Sequence, residues 1–346
     1  MKLKNLLAAA TFAVASIAAV DSSACSLVSY QGDSSLVIVG RSLDWKTPIP
    51  TNLYVYPKGM KKVGNTTPDA VKWTSKYGAV YAVGYDGGVT EGMNEKGLAV
   101  NGLFCKGTVY VNPETEGRPA MSLAVFVAWI LDNFATTQEA IDEIAKQNFT
   151  ISGATFDGGT VSTLHWALND AQGNSAVFEF DHGNIKVYNN DSVRVFTNDP
   201  TYPQMIAINN YWKGVGGTNM LPGTVKSPDR FVRASFFEKN VAKTADPTIG
   251  VAIARSIIMN VSVPYLYTVN GEPNVSSTQW RSYANLRDKY YYFEPVTHLG
   301  VIYVDLNKCD LRKGAPVMKL TVANAENSVG CANSLLVPSA PFTPMY

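Results

Sequence analysis

From Cys25 onward the chain sets short apolar runs between polar punctuation. SLVSY, SLVIVG, NLYVYP, AVYAVGY and GLAVNGLF are bounded by Gly, Asp, Asn or Pro and predict β-strands. The period then lengthens. Pro119 to Phe134 and Thr137 to Gln147 predict helices, the second opened by a capping box in which Thr136 is followed three residues later by Glu139. Strand patterns return in VSTLHWAL, SAVFEF, NIKVY and VRVFTN. A helical block then covers Pro203 to Lys213 and Asp229 to Asn260, and SYANL, KYYYFEP, HLGVIYVDL and VMKLTVA close the chain. Strands alternating in blocks with helices predict an α+β chain, with sheets covered by helices in layers. No stretch reads as a linker or repeat, so residues 25–346 are expected to form a single domain.

The first 24 residues follow a different pattern. Lys2 and Lys4 precede an apolar run of small residues from Leu6 to Val20, which ends in Asp21-Ser22-Ser23-Ala24. This predicts a signal peptide with Ser22 and Ala24 at the −3 and −1 positions of the cut, leaving Cys25 as the first mature residue of an exported, periplasmic protein. A lipoprotein signal also leaves cysteine first and is the competing reading, although such signals usually carry leucine where this chain has Ser22. The whole chain has 29 basic and 28 acidic residues. Without the first 24 the balance is neutral and no basic stripe appears, which argues against nucleic acid as a partner. Ala120 to Leu131 is strongly apolar but only about three turns long, too short for a membrane span. Four cysteines and three histidines, none closely paired, give no zinc pattern. In an exported protein Cys309 with Cys331 is the first disulfide pair to consider.

Candidate chemistry lies in CSLVSYQGDSSLVIVGRSLDW. Two strand patterns flank Gln31-Gly32-Asp33-Ser34, a hairpin turn. With a tight turn at Gly32-Asp33, Cys25 is expected beside Gly40, which delivers Arg41 to the chain terminus with Asp44 just beyond. A thiol on a mature N-terminus has its own α-amine within reach as a base, so it needs no histidine. A neighbouring guanidinium favours a thiolate and a carboxylate can hold the amine. Cys25, Arg41 and Asp44 supply these functions; the alternative is a structural cysteine beside an ion pair.

These residues, with EGMNEKGL (Glu91 to Leu98), STLHW (Ser162 to Trp166), FTNDP around Asn198 and SPDRFVR around Arg230, resemble the choloylglycine hydrolase family of bile salt hydrolases and penicillin V acylases. The resemblance covers essentially all of the mature chain. It implies a four-layer αββα N-terminal-nucleophile (Ntn) hydrolase fold and the hydrolysis of linear amides without cofactor or metal. It implies Cys25 as nucleophile, Arg41 and Asp44 as organisers of thiol and amine, Asn198 as a side-chain oxyanion donor, Arg230 as a further active-site cation, and the backbone N–H of Phe104 as a second oxyanion donor. Relatives usually carry asparagine or tyrosine where this chain has Phe104; Trp45 and Asn101 are tentative substrate contacts, and Cys105 reads as core. Only about thirty residues separate Asn198 from Arg230, as in the Gram-negative and Bacteroides-type branch. A homo-oligomer would therefore be built without the assembly loop of the Gram-positive enzymes.

Two further readings compete. In a papain-like hydrolase Cys25 would act with His165 and Asn198, but SLVSY reads as strand where that fold begins a helix. An exported, lipid-anchored binding protein would use the aromatic residues to hold an apolar ligand. Among amides, the resemblance, greatest to the bile-salt-cleaving members of that branch, implies conjugated bile salts by a slight margin, with penicillin V and N-acyl homoserine lactones as alternatives on the same site.

Overall fold

In the computed structural model, which describes residues 25–111, 117–156, 161–189, 193–270 and 276–346, the alternating runs become two large, mainly antiparallel sheets. The strands are β1 (Ser26–Gln31), β2 (Val37–Trp45), β3 (Thr51–Tyr56), β4 (Lys61–Val63), β5 (Lys72–Thr74), β6 (Ala79–Gly84), β7 (Gly88–Asn94), β8 (Ala99–Phe104), β9 (Ala120–Ser122) and β10 (Thr150–Ser152). They continue with β11 (Leu164–Asn169), β12 (Ser175–Asp181), β13 (Asn184–Asn189), β14 (Val195–Phe196), β15 (Ser277–Asn285), β16 (Tyr290–Pro295), β17 (Ile302–Asp305), β18 (Met318–Leu320), β19 (Gly330–Cys331) and β20 (Val337–Pro338). One sheet has the order β14-β1-β2-β15-β16-β17-β19, the other β13-β12-β11-β8-β7-β6-β3-β18-β20. The expected signal segment lies outside the described residues.

Among the described residues five α-helices cover the sheets: α1 (Leu123–Asn133), α2 (Thr137–Ile144), α3 (Tyr202–Val215), α4 (Ser227–Asn240) and α5 (Pro247–Val261). A core containing Leu27, Val39, Leu53, Met93, Leu103 and Phe293 lies between the sheets, and the cluster continues on the other face through Tyr283 to Ile257 and Ile258 of α5. A second core packs Phe126, Trp129 and Ile130 of α1 against Tyr81, Val100, Trp166 and Phe178. The layer order is therefore helix, sheet, sheet, helix, as in an Ntn hydrolase.

Helix boundaries follow local chemistry. Ser122 caps α1 by accepting from the N–H of Ala124 at 3.2 Å, so Ala120 to Ser122 is strand and the helix begins later than expected. Thr136 accepts from the N–H of Glu139 at 3.2 Å, while the Glu139 carboxylate reaches back to the N–H of Ala135 at 2.8 Å. The block from Asp229 to Asn260 is two helices: Asp246 caps the second by accepting from the N–H of Thr248, with Pro247 in its first turn. Gly88 to Asn94, which has no apolar run, is nonetheless a central strand. A Cβ at Gly92 would lie 2.3 Å from the Val80 carbonyl oxygen and 2.9 Å from Leu131, so glycine is what lets α1 approach here.

The hairpin register also differs from expectation. Gly32 to Leu36 form a five-residue loop in which Ser34 and Ser35 take positive φ and the Gly32 N–H donates to the Leu36 carbonyl. Ser26 pairs with Ser42 and Leu27 with Arg41, so Cys25 falls level with Leu43 instead of Gly40.

The last turn of α1 is held by a buried carboxylate. Asp132 accepts from Trp73 Nε1 at 2.6 Å, the Tyr81 hydroxyl at 2.5 Å and Lys62 Nζ at 2.9 Å. Removing it strands three donors, one of them charged. Asp132→Ala is expected to cost about 3–5 kcal/mol, read as a lower urea midpoint at unchanged m-value.

Candidate active site

Residues three apart on a strand point to opposite faces, and β2 uses this to divide its two charges. Arg41 faces the second sheet and Asp44 faces the helices. On the first face the Arg41 guanidinium donates to Glu91 Oε2 at 2.6 Å and to the Gly102 carbonyl at 2.8 Å, and lies 5.1 Å over the Trp280 ring. Its Nη2 is 3.7 Å from Cys25 Sγ. Glu91 is itself buried and also accepts from the hydroxyls of Ser282 and Tyr291. Burial pushes the Arg41 guanidinium down, but Glu91 and then Cys25 outweigh it and hold it above its ordinary value.

On the other face Asp44 accepts from Thr278 Oγ1 at 2.5 Å and Ser42 Oγ at 3.3 Å. Arg230, delivered by the first turns of α4, donates to the Cys25 carbonyl and to Ser26 Oγ, both at 2.6 Å, and to Asn198 Oδ1 at 3.0 Å. Burial lowers Arg230, opposed by Asp44 and Cys25. Burial is also the dominant influence on Asp44. Arg230, the Thr278 and Ser42 hydroxyls and Arg41 all favour the carboxylate, yet its pKa is pushed up to about 6.

Asn198 joins three segments. Its Oδ1 accepts from the backbone N of Cys25, its Nδ2 donates to the Phe104 carbonyl at 2.8 Å, and its own N–H donates to Ser227 Oγ at 2.9 Å. Phe104 sits where β8 has left its β7 partner. The β7–β8 ladder runs only to Glu91 opposite Asn101, and on the other side the hydrogen-bonded step is from the Cys105 N–H to the Thr163 carbonyl. Strand geometry therefore points both backbone groups of Phe104 away from β11, into the gap beside Asn198. Asp199 fixes the next turn by accepting from the N–H groups of Lys106 and Gly107 and from the Cys105 thiol.

Cys25, Arg41 and Asp44 open onto a cleft of about 710 Å³, the open solvent at its mouth included, whose wall is mostly apolar: Trp45, Ile49, Phe104, Leu123, Phe156 and Leu164. The Trp45 and Phe104 rings meet at 5.5 Å between centroids. Trp45 thus lines the cleft, whereas Asn101 does not. It lies opposite Glu91 in the ladder and, one residue out of phase with Gly102, faces the inter-sheet core.

His165, the base of the papain-like alternative, has both ring nitrogens engaged elsewhere, one 2.8 Å from the Thr197 carbonyl and the other 3.3 Å from Glu179. Cys309 and Cys331 are both free thiols on either side of Asn333, 3.5 Å from its Nδ2 and 3.3 Å from its Oδ1 respectively. Sequence reasoning assigned no role to Glu91 or Thr278. Glu91 lay inside the quoted EGMNEKGL motif, but a buried acid in a glycine-flanked run looks like a turn. Thr278 carries no signal of its own.

Folding raises the Asp44 pKa from 3.8 to about 6, so the folded state binds this proton more tightly than the unfolded chain. The associated stability is complete below the unfolded value and is lost as pH rises through the folded one. Asn mimics the protonated form, so Asp44→Asn is expected to be the more stable protein at pH 7.5, by about 2–3 kcal/mol. Thermal melts across pH 4–8 check this: the advantage should vanish at the acid end.

Other proteins resemble this chain along most of its length. The penicillin V acylase of Pectobacterium atrosepticum is 36% identical over 327 residues, covering 88% of this chain and 87% of that protein. A bile salt hydrolase/transferase of Clostridium perfringens is 26% identical over 313 residues, covering 83% and 94%. The structure of penicillin V acylase from Agrobacterium tumefaciens superposes with a TM-score of 0.86 at 41% identity, covering 93% of this chain and 99% of that one. Residues 25–322 match the linear amide C–N hydrolases of the choloylglycine hydrolase family, and the chain belongs to that family of enzymes.

Proposed function

We propose that the chain is an N-terminal-cysteine amidase whose preferred substrates are linear amides with a flat aromatic acyl group, of the phenoxyacetyl kind carried by penicillin V. The observation that carries this reading is the placement of Cys25 Sγ, 3.7 Å from Arg41, on a cleft walled by the Trp45 and Phe104 rings. The slight sequence lean to conjugated bile salts is set second. The relatives at 36% and 41% identity are penicillin V acylases, whereas the bile salt enzyme stands at 26%.

Removal of residues 1–24, as expected on export, would leave the α-amine of Cys25 at Asn198 Oδ1. In the proposed reaction Cys25 Sγ attacks the amide carbonyl while the α-amine takes the thiol proton. The oxyanion forms between the Phe104 N–H and the second Nδ2 hydrogen of Asn198, the first being held by the Phe104 carbonyl. Collapse breaks the C–N bond as the α-ammonium protonates the departing amine. Water, activated by the same amine, then cleaves the thioester and returns the thiol. Arg230 holds the Cys25 carbonyl and Asn198 during both steps.

The test is amine release by protein expressed at full length and shown by mass spectrometry to begin at Cys25. Penicillin V, taurocholate, glycocholate and a long-chain acyl homoserine lactone form the panel. Release is expected to be fastest from penicillin V and to vanish in Cys25→Ala; fastest release from a bile salt would replace the aromatic reading with the steroid one. Asn198→Ala should lower kcat about 10²–10³-fold if its amide holds the oxyanion, and a wild-type rate would remove it from that role.

A further inference from the structure

The carboxylate of Asp44 is buried, and burial favours its neutral form against the groups that favour the ionised one. The charged groups acting on it are Arg230 from α4 and, from the opposite face of its own strand, Arg41, while the Cys25 thiol lies 3.8 Å from the Asp44 main-chain carbonyl. Ser42 and Thr278 face it with hydroxyls. Of these two, Thr278 makes much the shorter bond, 2.5 Å against 3.3 Å.

Thr278 is completely buried, and its hydroxyl has two neighbours only one of which can receive its proton. The Val263 N–H donates to Thr278 Oγ1 at 2.9 Å. A backbone N–H can only donate and a hydroxyl has a single hydrogen. The Val263 bond therefore occupies an oxygen lone pair and leaves the hydroxyl hydrogen for Asp44 Oδ1. The Thr278 N–H returns to the Val263 carbonyl at 3.2 Å, which closes the pair. Val263 lies just beyond α5, so the end of that helix sets the direction of the bond.

An irregularity in the sheet makes the placement fit. The β2–β15 ladder pairs Thr278 with Asp44 but Trp280 with Leu43, so Gln279 is an extra residue in a β-bulge. Without it, Trp280 could not take the face of Leu43 and Arg41 while Thr278 stays on the face of Asp44. The bulge thus seats Trp280 under the Arg41 guanidinium and Thr278 against Asp44, serving both faces of the site.

We infer that Thr278 is a positioning residue for the hydrolysis: its hydroxyl, oriented by the Val263 N–H, fixes the Asp44 carboxylate in its ionised form opposite Arg230. The catalytic consequence rests on the proposed amidase reading, in which ionised Asp44 organises the Cys25 terminus; the effect on the carboxyl group does not. A bond to the charged form of an acid lowers its pKa, so removing the bond raises it and moves the acid limb of activity to higher pH.

Thr278→Val keeps the shape and deletes the hydroxyl; Thr278→Ser keeps the hydroxyl and deletes a methyl. Both are compared with wild type in full-length-expressed protein labelled with ¹³C-aspartate. The Asp44 carboxyl carbon is identified by its absence in Asp44→Asn. A loss of this size should raise the Asp44 titration midpoint by about one unit in Thr278→Val, with Thr278→Ser close to wild type. On whichever amide the wild type hydrolyses, kcat should fall about tenfold in Thr278→Val, with KM within about twofold. The acid limb of kcat/KM should shift by the same unit, and serine should restore both. An unmoved midpoint in Thr278→Val overturns the inference whatever the enzyme assay shows, as does a serine variant as altered as the valine one. A shifted midpoint with unchanged kcat and acid limb overturns the catalytic part. A wild type that hydrolyses no amide counts against the amidase reading alone, because the carboxyl titration still decides what Thr278 does to Asp44.

Discussion

The ion pair between Arg41 and Glu91 crosses the interface of the two sheets, and the arrangement around Cys25 depends on it. A guanidinium buried this deeply is tolerated only when its charge is paired, and Arg41 is paired through Nη1 although its Nε has no hydrogen-bond partner. Glu91 is paired with it and saturated by the Ser282 and Tyr291 hydroxyls, so the pair brings β2, β7, β8, β15 and β16 into one fixed relation. That relation sets where Arg41 meets the sulfur. It also fixes β8, and hence the backbone of Phe104. The second charged group, Asp44 with Arg230, is built on the opposite face of the same strand. The alternation of a single nine-residue strand thereby separates the cation beside the thiol from the acid beside the helices.

Much of this was legible because it is local. Cys25, Arg41 and Asp44 lie within one hairpin, and the reach of a hairpin is readable from alternation even when its register is not. The register was misplaced by three residues because Ser34 and Ser35 enter the left-handed region and enlarge the loop, something neither residue type advertises. Asn198 and Arg230 entered through family resemblance, since taken singly each reads as a turn or a helix start. The helix boundary at Asp246-Pro247 is written in the chain as a cap followed by proline, inside the block expected to be helical from Asp229 to Asn260.

What stayed hidden has one cause. Glu91, Thr278 and the bulge at Gln279 act across strand pairs far apart in sequence, and a one-residue slip in a ladder decides which face a side chain serves. β7 shows the same limit. Its glycines and central glutamate lower its apparent strand character, yet glycine is required where α1 descends and glutamate where Arg41 must be paired. The residues least like a strand are there because of what lies on each side of it.

Much of the site's contact set is main chain. The Cys25 carbonyl is held by Arg230, the Gly102 carbonyl by Arg41 and the Phe104 carbonyl by Asn198. At Phe104 the peptide group belongs to this scaffold while its ring forms the wall of the cleft. Two inheritances are thus carried by one residue on separate atoms. A substitution can exchange the ring for a smaller or more polar side chain, reshaping what the cleft admits, without disturbing the peptide that Asn198 holds. The side chain at this position is thereby freed from the constraint on its own backbone, and the shape of the cleft can change here by a single substitution.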